Sequence, residues 1–151
     1  MPGAKAPNFK LTLDDGSTVS LADFKGKALV IYFFPRADTP GCTTEAMDFS
    51  RLKAAFTRAN AVVLGVSADP VEAQEKFKKK HGLKVPLGAD TTRKMIEDYG
   101  AWGERSLYGR KFMGIVRSTV LIGPDGKVAQ VWPSVKVKGH AEAVLDAVKS
   151  L

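Results

Sequence analysis

Phe33-Phe34-Pro35-Arg36-Ala37-Asp38-Thr39-Pro40-Gly41-Cys42-Thr43-Thr44-Glu45-Ala46 is the stretch on which the fold turns. It leaves the strongest strand signal of the chain, Ala28-Leu29-Val30-Ile31-Tyr32-Phe33-Phe34, and runs into a helix. That strand is apolar throughout, the pattern of a strand covered on both faces. Pro40 fits the first helical position, where a missing N–H is not needed. Thr39 then becomes the N-cap, its side chain placed to accept from a helix N–H. On this register Cys42, the only cysteine, lies in the first helical turn. Unpaired N–H groups and the positive end of the helix dipole favour an anion there. A thiol so placed loses its proton more readily than a free one, whose pKa is about 8.5. The alternative for a lone cysteine is burial as a small inert residue.

Outward from this stretch, Phe9-Lys10-Leu11-Thr12-Leu13 and Thr18-Val19-Ser20-Leu21 alternate around the turn Asp14-Asp15-Gly16-Ser17 and read as a hairpin. Lys25-Gly26-Lys27 turns into the central strand. The helix from Pro40 is expected to reach about Asn60, with Ala46, Phe49, Leu52 and Phe56 facing inward and Met47 off the centre of that stripe. Ala61 to Ser67 is a second apolar strand. Ser67 or Asp69 is placed to cap a helix beginning near Pro70, with Val71 and Phe77 inward. The basic run Lys76 to His81 suits the end of that helix, and Gly82 terminates it. Val85 to Gly88 is a short extended piece, followed by a helix from about Thr91 to Tyr99.

Tyr99 to Met113 is rich in glycine, aromatic and basic residues and reads as a long loop near a site. Its Trp102, Tyr108 and Phe112 either close over the cysteine or pack along a loop edge. Ile115 to Ile122 and Val128 to Val131 flank the turn Gly123-Pro124-Asp125-Gly126. A last helix spans about Gly139 to Leu151, with Ala141, Val144, Leu145 and Val148 on one face. This order predicts an α/β fold in which a mixed sheet is flanked by helices on both faces. The 151 residues suit a single domain, 1–151.

A composition of 44% hydrophobic and 26% charged residues is that of a soluble globular protein. The apolar run Ala28 to Phe34 is too short to span a bilayer. The N-terminal Met1 to Pro7 lacks the apolar stretch of a secretory signal. The expectation is a cytoplasmic protein with no membrane partner. One cysteine excludes an internal disulfide and a CxxC pair. The net charge of +7 is scattered, and without a zinc-finger or aromatic RNA-binding motif no nucleic-acid partner is expected. One cysteine and two distant histidines, His81 and His140, do not make a metal-ligand cluster. Both histidines read as surface or capping residues rather than the base of a cysteine hydrolase.

Several of these residues together carry a resemblance. Pro35, Thr39 and Cys42 match the proline-x3-threonine-x2-cysteine signature of the peroxiredoxins. Thr39-Pro40-Gly41-Cys42-Thr43-Thr44-Glu45-Ala46 resembles the bacterioferritin comigratory protein (PrxQ) branch. Phe9 to Phe24 resembles that family's opening hairpin, Val116 to Ile122 its arginine-bearing strand, and Trp132 with Gly139-His140 its C-terminal pattern. The chain departs from many members of the branch at Met47, where they carry a second cysteine five positions after the first.

The resemblance implies a thioredoxin-like fold with an N-terminal β-hairpin extension, and a thiol-dependent peroxidase for hydrogen peroxide and organic hydroperoxides. It implies Cys42 as the reacting thiol, passing through a sulfenic acid. Arg117 would contact the sulfur and the peroxide, the Thr39 hydroxyl would bond the peroxide or sulfur, and Pro35 would shield the pocket. Gly41 and Glu45 would support the site. Glu45 either orients Arg117 or is a solvated residue favouring the helix start. No metal or other cofactor is implied. The partners implied are a peroxide and an external thiol such as thioredoxin, glutaredoxin or glutathione, for a monomer or weak dimer. A second reading is a thioredoxin-like redox-sensing module whose cysteine signals without turnover.

Overall fold

The computed structural model describes residues 2–151. It opens with the hairpin β1 (Lys10–Leu13) and β2 (Thr18–Ser20), followed by a 3-10 turn at Leu21–Phe24. Strands and helices then alternate as β3 (Ala28–Phe33), α1 (Pro40–Arg58), β4 (Ala61–Ser67), α2 (Val71–His81), β5 (Leu87–Ala89) and α3 (Lys94–Asp98). A separate ribbon, β6 (Trp102–Leu107) and β7 (Arg110–Ile115), precedes β8 (Ser118–Ile122), β9 (Val128–Trp132) and α4 (His140–Lys149). The main sheet has seven strands in the order β2-β1-β5-β4-β3-β8-β9. β3 runs parallel to β4 and antiparallel to β8. This is a mixed sheet of the thioredoxin-like kind with an N-terminal hairpin added at one edge.

β3 lies inside the sheet between β4 and β8, and its side chains alternate between two cores. Val30, Tyr32 and Phe34 pack with Ala46, Phe49 and Phe56 of α1, Phe77 of α2 and Val144 and Val148 of α4. Leu29, Ile31 and Phe33 pack on the other face with Phe9, Leu11, and Met95 and Ile96 of α3. The expected apolar stripe of α1 is therefore the face that meets the sheet. The Tyr32 ring stacks on Phe49 at 4.6 Å between centroids, which ties α1 to the central strand two turns below the cysteine.

The structure departs from the sequence reading in several places. Tyr99 to Met113 is not a loop: Trp102 to Ile115 form a two-stranded ribbon in register from Trp102↔Ile115 to Leu107↔Arg110. Ile115 to Ile122 is not one strand either. Val116 and Arg117 link β7 to β8, freeing Arg117 from ladder geometry. Neither Ser67 nor Asp69 caps α2, whose N-cap is Pro70 with no side-chain bond. Gly82 does end α2, in the left-handed conformation (φ 60°). The helix expected over Thr91 to Tyr99 is confined to Lys94–Asp98. Among the described residues no helix is long and apolar enough to cross a membrane.

β3 and β4 pair Tyr32 with Gly65, and a Cβ on Gly65 would stand 2.6 Å from Cζ of the Tyr32 ring. That ring is fully buried and stacked on Phe49. Gly65→Ala should therefore lower stability by about 1–3 kcal/mol, measured by urea unfolding. An unchanged midpoint would contradict the packing described.

Candidate functional site

The site forms where β3 ends and α1 begins. After Phe34, whose N–H donates to Val66 O at 3.0 Å, the chain leaves the sheet through half-buried Pro35. Two contacts hold the connecting loop. The Ala37 N–H donates to Asp69 Oδ2 at 2.7 Å, which is what Asp69 does in place of capping α2. Asp38, with a left-handed backbone (φ 62°), accepts from Lys80 Nζ at 2.8 Å and meets His81 Nε2 at 2.8 Å. Bonds from His81 and Lys80 hold the Asp38 carboxyl below its usual pKa. The end of α2 thus steadies the loop that carries Thr39.

Thr39 is the N-cap of α1 in extended geometry (φ −90°, ψ 156°), with Pro40 at the first helical position as expected. Its carbonyl accepts the Thr43 N–H at 2.8 Å. Its side chain does not cap: the hydroxyl donates to Arg36 O at 2.9 Å, closing a local turn instead.

Cys42 sits in the first turn of this 19-residue helix, only 1% exposed and free of any disulfide. Arg117 reaches it from the β7–β8 link. Nη2 lies 3.2 Å from Cys42 Sγ, and Nη1 donates to Glu45 Oε1 at 2.8 Å. One guanidinium therefore spans sulfur and carboxylate, a planar two-point arrangement a lysine cannot copy. Burial opposes the Arg117 charge, but the Cys42 sulfur and the Glu45 carboxylate outweigh it and hold its pKa above the usual value. Gly41 leaves room for the guanidinium: a Cβ there would stand 3.2 Å from Arg117 Nη2, a tight contact to which Arg117 would have to yield.

Glu45 is a buried residue, not a solvated one. Its Oε2 has no hydrogen-bond partner among the described residues. Burial pushes its pKa from 4.5 up to about 7, against the pull of Arg117.

His140 was not legible as a site neighbour. It is buried at the start of α4, neither a surface nor a capping residue. Its Nε2 pairs with Thr119 Oγ1 at 2.8 Å, and its ring stands edge-on to Phe49 and Trp132. Burial, and then the Arg117 charge, lower its pKa to about 4, so it stays neutral. Thr119, a polar residue inside the buried strand β8, was the available signal. Neither His81, which pairs with Asp38, nor His140 is hydrogen-bonded to Cys42. Trp102 lies under the Arg93 guanidinium at 4.2 Å and packs with the opposite core, and Tyr108 is fully in solvent.

A family model described as AhpC/TSA family matches residues 2–131. Peroxiredoxin Bcp of Bacillus subtilis is 44% identical over 149 residues, covering 99% of this chain and 95% of that protein. Peroxiredoxin Bcp of Xanthomonas campestris is 44% identical over 140 residues, covering 93% and 88%. Among solved structures, the bacterioferritin comigratory protein of Xanthomonas campestris superposes with a TM-score of 0.89 at 42% identity, over 94% of this chain and 90% of that one. BcpB of Mycobacterium tuberculosis superposes with a TM-score of 0.86 at 30% identity, over 99% and 97%.

The Glu45 shift fixes the sign of a pH effect. The unfolded carboxyl loses its proton near 4.5, while the folded one keeps it to about 7. Its contribution to stability is therefore full below 4.5 and is lost as pH rises toward about 7. Glu45→Gln should flatten the stability–pH profile across that window by about 1–3 kcal/mol, read by urea unfolding. An identical slope in both proteins would contradict it.

Proposed function

We propose that Cys42 is the reacting thiol of this chain, which belongs to the AhpC/TSA family, in its Bcp/PrxQ branch, and is a peroxiredoxin-type peroxidase. The observation that carries the proposal is the Arg117 guanidinium, 3.2 Å from the buried Cys42 sulfur and anchored by Glu45.

The Cys42 thiolate attacks the terminal oxygen of the peroxide. An S–O bond forms and the O–O bond breaks. The leaving oxygen takes up a proton and departs as alcohol or water, leaving a sulfenic acid. Arg117 stabilises both the negative sulfur and the charge developing on the peroxide oxygens. Gly41 gives the guanidinium room, Pro35 and Thr39 shape the approach, and the Thr39 hydroxyl is available to a peroxide once it releases Arg36 O.

Recovery requires an outside thiol because Cys42 is the only cysteine. The incoming thiol forms an S–S bond to Cys42 with loss of water, and a second thiol releases the protein. Thioredoxin, glutaredoxin and glutathione are the candidate reductants, for a cytoplasmic monomer or weak dimer. Met47 is 51% exposed and lies about 140° around and 7.5 Å along α1 from Cys42. A cysteine there would face away from the buried sulfur.

Peroxide consumption with dithiothreitol and with thioredoxin tests the reading. The wild-type protein should turn over, and Cys42→Ser should not while remaining folded. One equivalent of peroxide should add a single oxygen by intact mass. Full activity in Cys42→Ser, or a reacted thiol without steady-state turnover, would contradict the proposal; the latter would favour a sensing module. Met47→Cys should form an internal disulfide after peroxide only when the first turns of α1 open, and should then resist over-oxidation to the sulfinic acid. If the wild-type protein resists excess peroxide with no added thiol, the one-cysteine route is wrong.

A further inference from the structure

The segment that carries Cys42 is firmly set at both of its ends. Before it, the Ala37 N–H donates to Asp69 Oδ2 at 2.7 Å. That carboxylate also takes the Ser67 hydroxyl at 2.6 Å, and Ser67 takes Gln74 Nε2 at 2.8 Å inside the core. After it, Glu45, Ala46 and Phe49 are buried on the inner face of α1. Between these ends lie Asp38 to Thr44. The hydroxyls of Thr39, Thr43 and Thr44 all bond locally, to Arg36 O, Thr39 O and Pro40 O. Among the described residues, only two side chains of this span bond to another element. Cys42 meets Arg117, and Asp38 meets Lys80 and His81 at the end of α2.

The Asp38 contact is a clasp from a fixed base. Lys80 Nζ and His81 Nε2 each lie 2.8 Å from one of its carboxylate oxygens. The His81 ring stands edge-on to Phe77 at 5.6 Å, and Phe77 is buried in the core. The Asp38 backbone is left-handed (φ 62°), a conformation that Asp and Asn adopt more readily than other side-chain-bearing residues.

This clasp matters after the peroxide has reacted. Cys42 is 1% exposed. To form a disulfide, an outside sulfur must come within about 2.05 Å of Sγ, and a protein thiol cannot approach a sulfur so covered. The first turn of α1 has to open for that step. Oxidation weakens one of the two fastenings, because a sulfenic acid does not offer Arg117 the full charge of a thiolate. The other fastening, at Asp38, is untouched by the reaction.

We propose that Asp38, clasped by Lys80 and His81, is a positioning residue for the second half of the reaction: it holds the first turn of α1 closed over the oxidised sulfur and so sets how often a thiol protein reaches it. This rests on the peroxidase reading. The same clasp sets the balance between the two fates of the sulfenic acid. While the turn is closed, only a second peroxide reaches the sulfur, giving sulfinic acid. While it is open, the outside thiol forms an S–S bond and water leaves.

Two variants test the clasp from its two sides: Asp38→Asn, which suits the left-handed backbone, and Lys80→Glu, 42 residues away on α2. The Thr43 N–H donates to Thr39 O at 2.8 Å, so its hydrogen exchange reports opening of the turn. Each variant should speed Thr43 exchange about three- to tenfold and leave the amides of β3 and β4 unchanged. Reduction of the Cys42 sulfenic acid by thioredoxin should quicken by the same factor. Less sulfinic acid should form per turnover, and the rate of oxidation by hydrogen peroxide should stay within about twofold. In the Asp38→Asn background, Lys80→Glu should add nothing further. Unchanged Thr43 exchange or unchanged reduction by thioredoxin overturns the proposal. So do faster exchange throughout the sheet, a peroxide step slowed along with the rest, or additive effects of the two substitutions. Failure of the peroxidase reading looks different: the wild-type protein would not turn over peroxide, whatever the exchange at Thr43.

Discussion

The guanidinium of Arg117, held between Cys42 Sγ at 3.2 Å and Glu45 Oε1 at 2.8 Å, is the interaction on which the rest of the site depends. A buried charge is costly unless it is paired and hydrogen-bonded, so these three residues either occur together or become a liability. Their arrangement explains features that look unrelated in the sequence. Gly41 gives the guanidinium room, since a Cβ there would stand 3.2 Å from Nη2. Arg117 lies in the link between two strands, not in a ladder, and its carbonyl takes the Val135 N–H at 2.9 Å, fixing the segment before α4. His140 stays neutral next to the cation, so no second positive charge competes for the sulfur.

The parts of the fold that were legible in the sequence are those governed by burial. β3 and β4 are apolar because both faces are covered, and Phe49 and Phe56 recur on α1 because one stripe meets the sheet. Pro40 and Gly82 mark helix ends through backbone geometry alone. The ribbon escaped because its outer half buries neither face, so no alternation of apolar and polar residues records it, and Gly103 and Gly114 imitate loop composition. The Thr39 hydroxyl and Asp69 were misread as caps because a local carbonyl and a distant N–H took them first. Such choices are made by tertiary neighbours, as is the grip of Lys80 and His81 on Asp38. The pairing of Cys42 with Arg117 came from the resemblance, since 75 residues separate the two and no periodicity links them.

Burial of the sulfur and the lack of a second cysteine pull in opposite directions. The folded first turn of α1 suits a small peroxide and shields Cys42 from larger molecules. On the proposed route, a sulfenic acid at the same place would have to be met by a thiol from outside. The loop before the helix is held by ion pairs at Asp38 and by the Ala37 N–H bond to Asp69, so opening the first turn of α1 costs these contacts as well as the Arg117 bridge to Cys42 and Glu45.

The central claim is that Arg117 activates and positions the chemistry at Cys42. Stopped-flow measurement of the second-order rate of Cys42 oxidation by hydrogen peroxide, in wild-type protein and Arg117→Met, tests it most directly. The account predicts a fall of about a hundredfold or more in the variant, with the protein still folded and its thiol still titratable after denaturation. Rates within about twofold of each other would place the activation of the cysteine elsewhere and contradict the account.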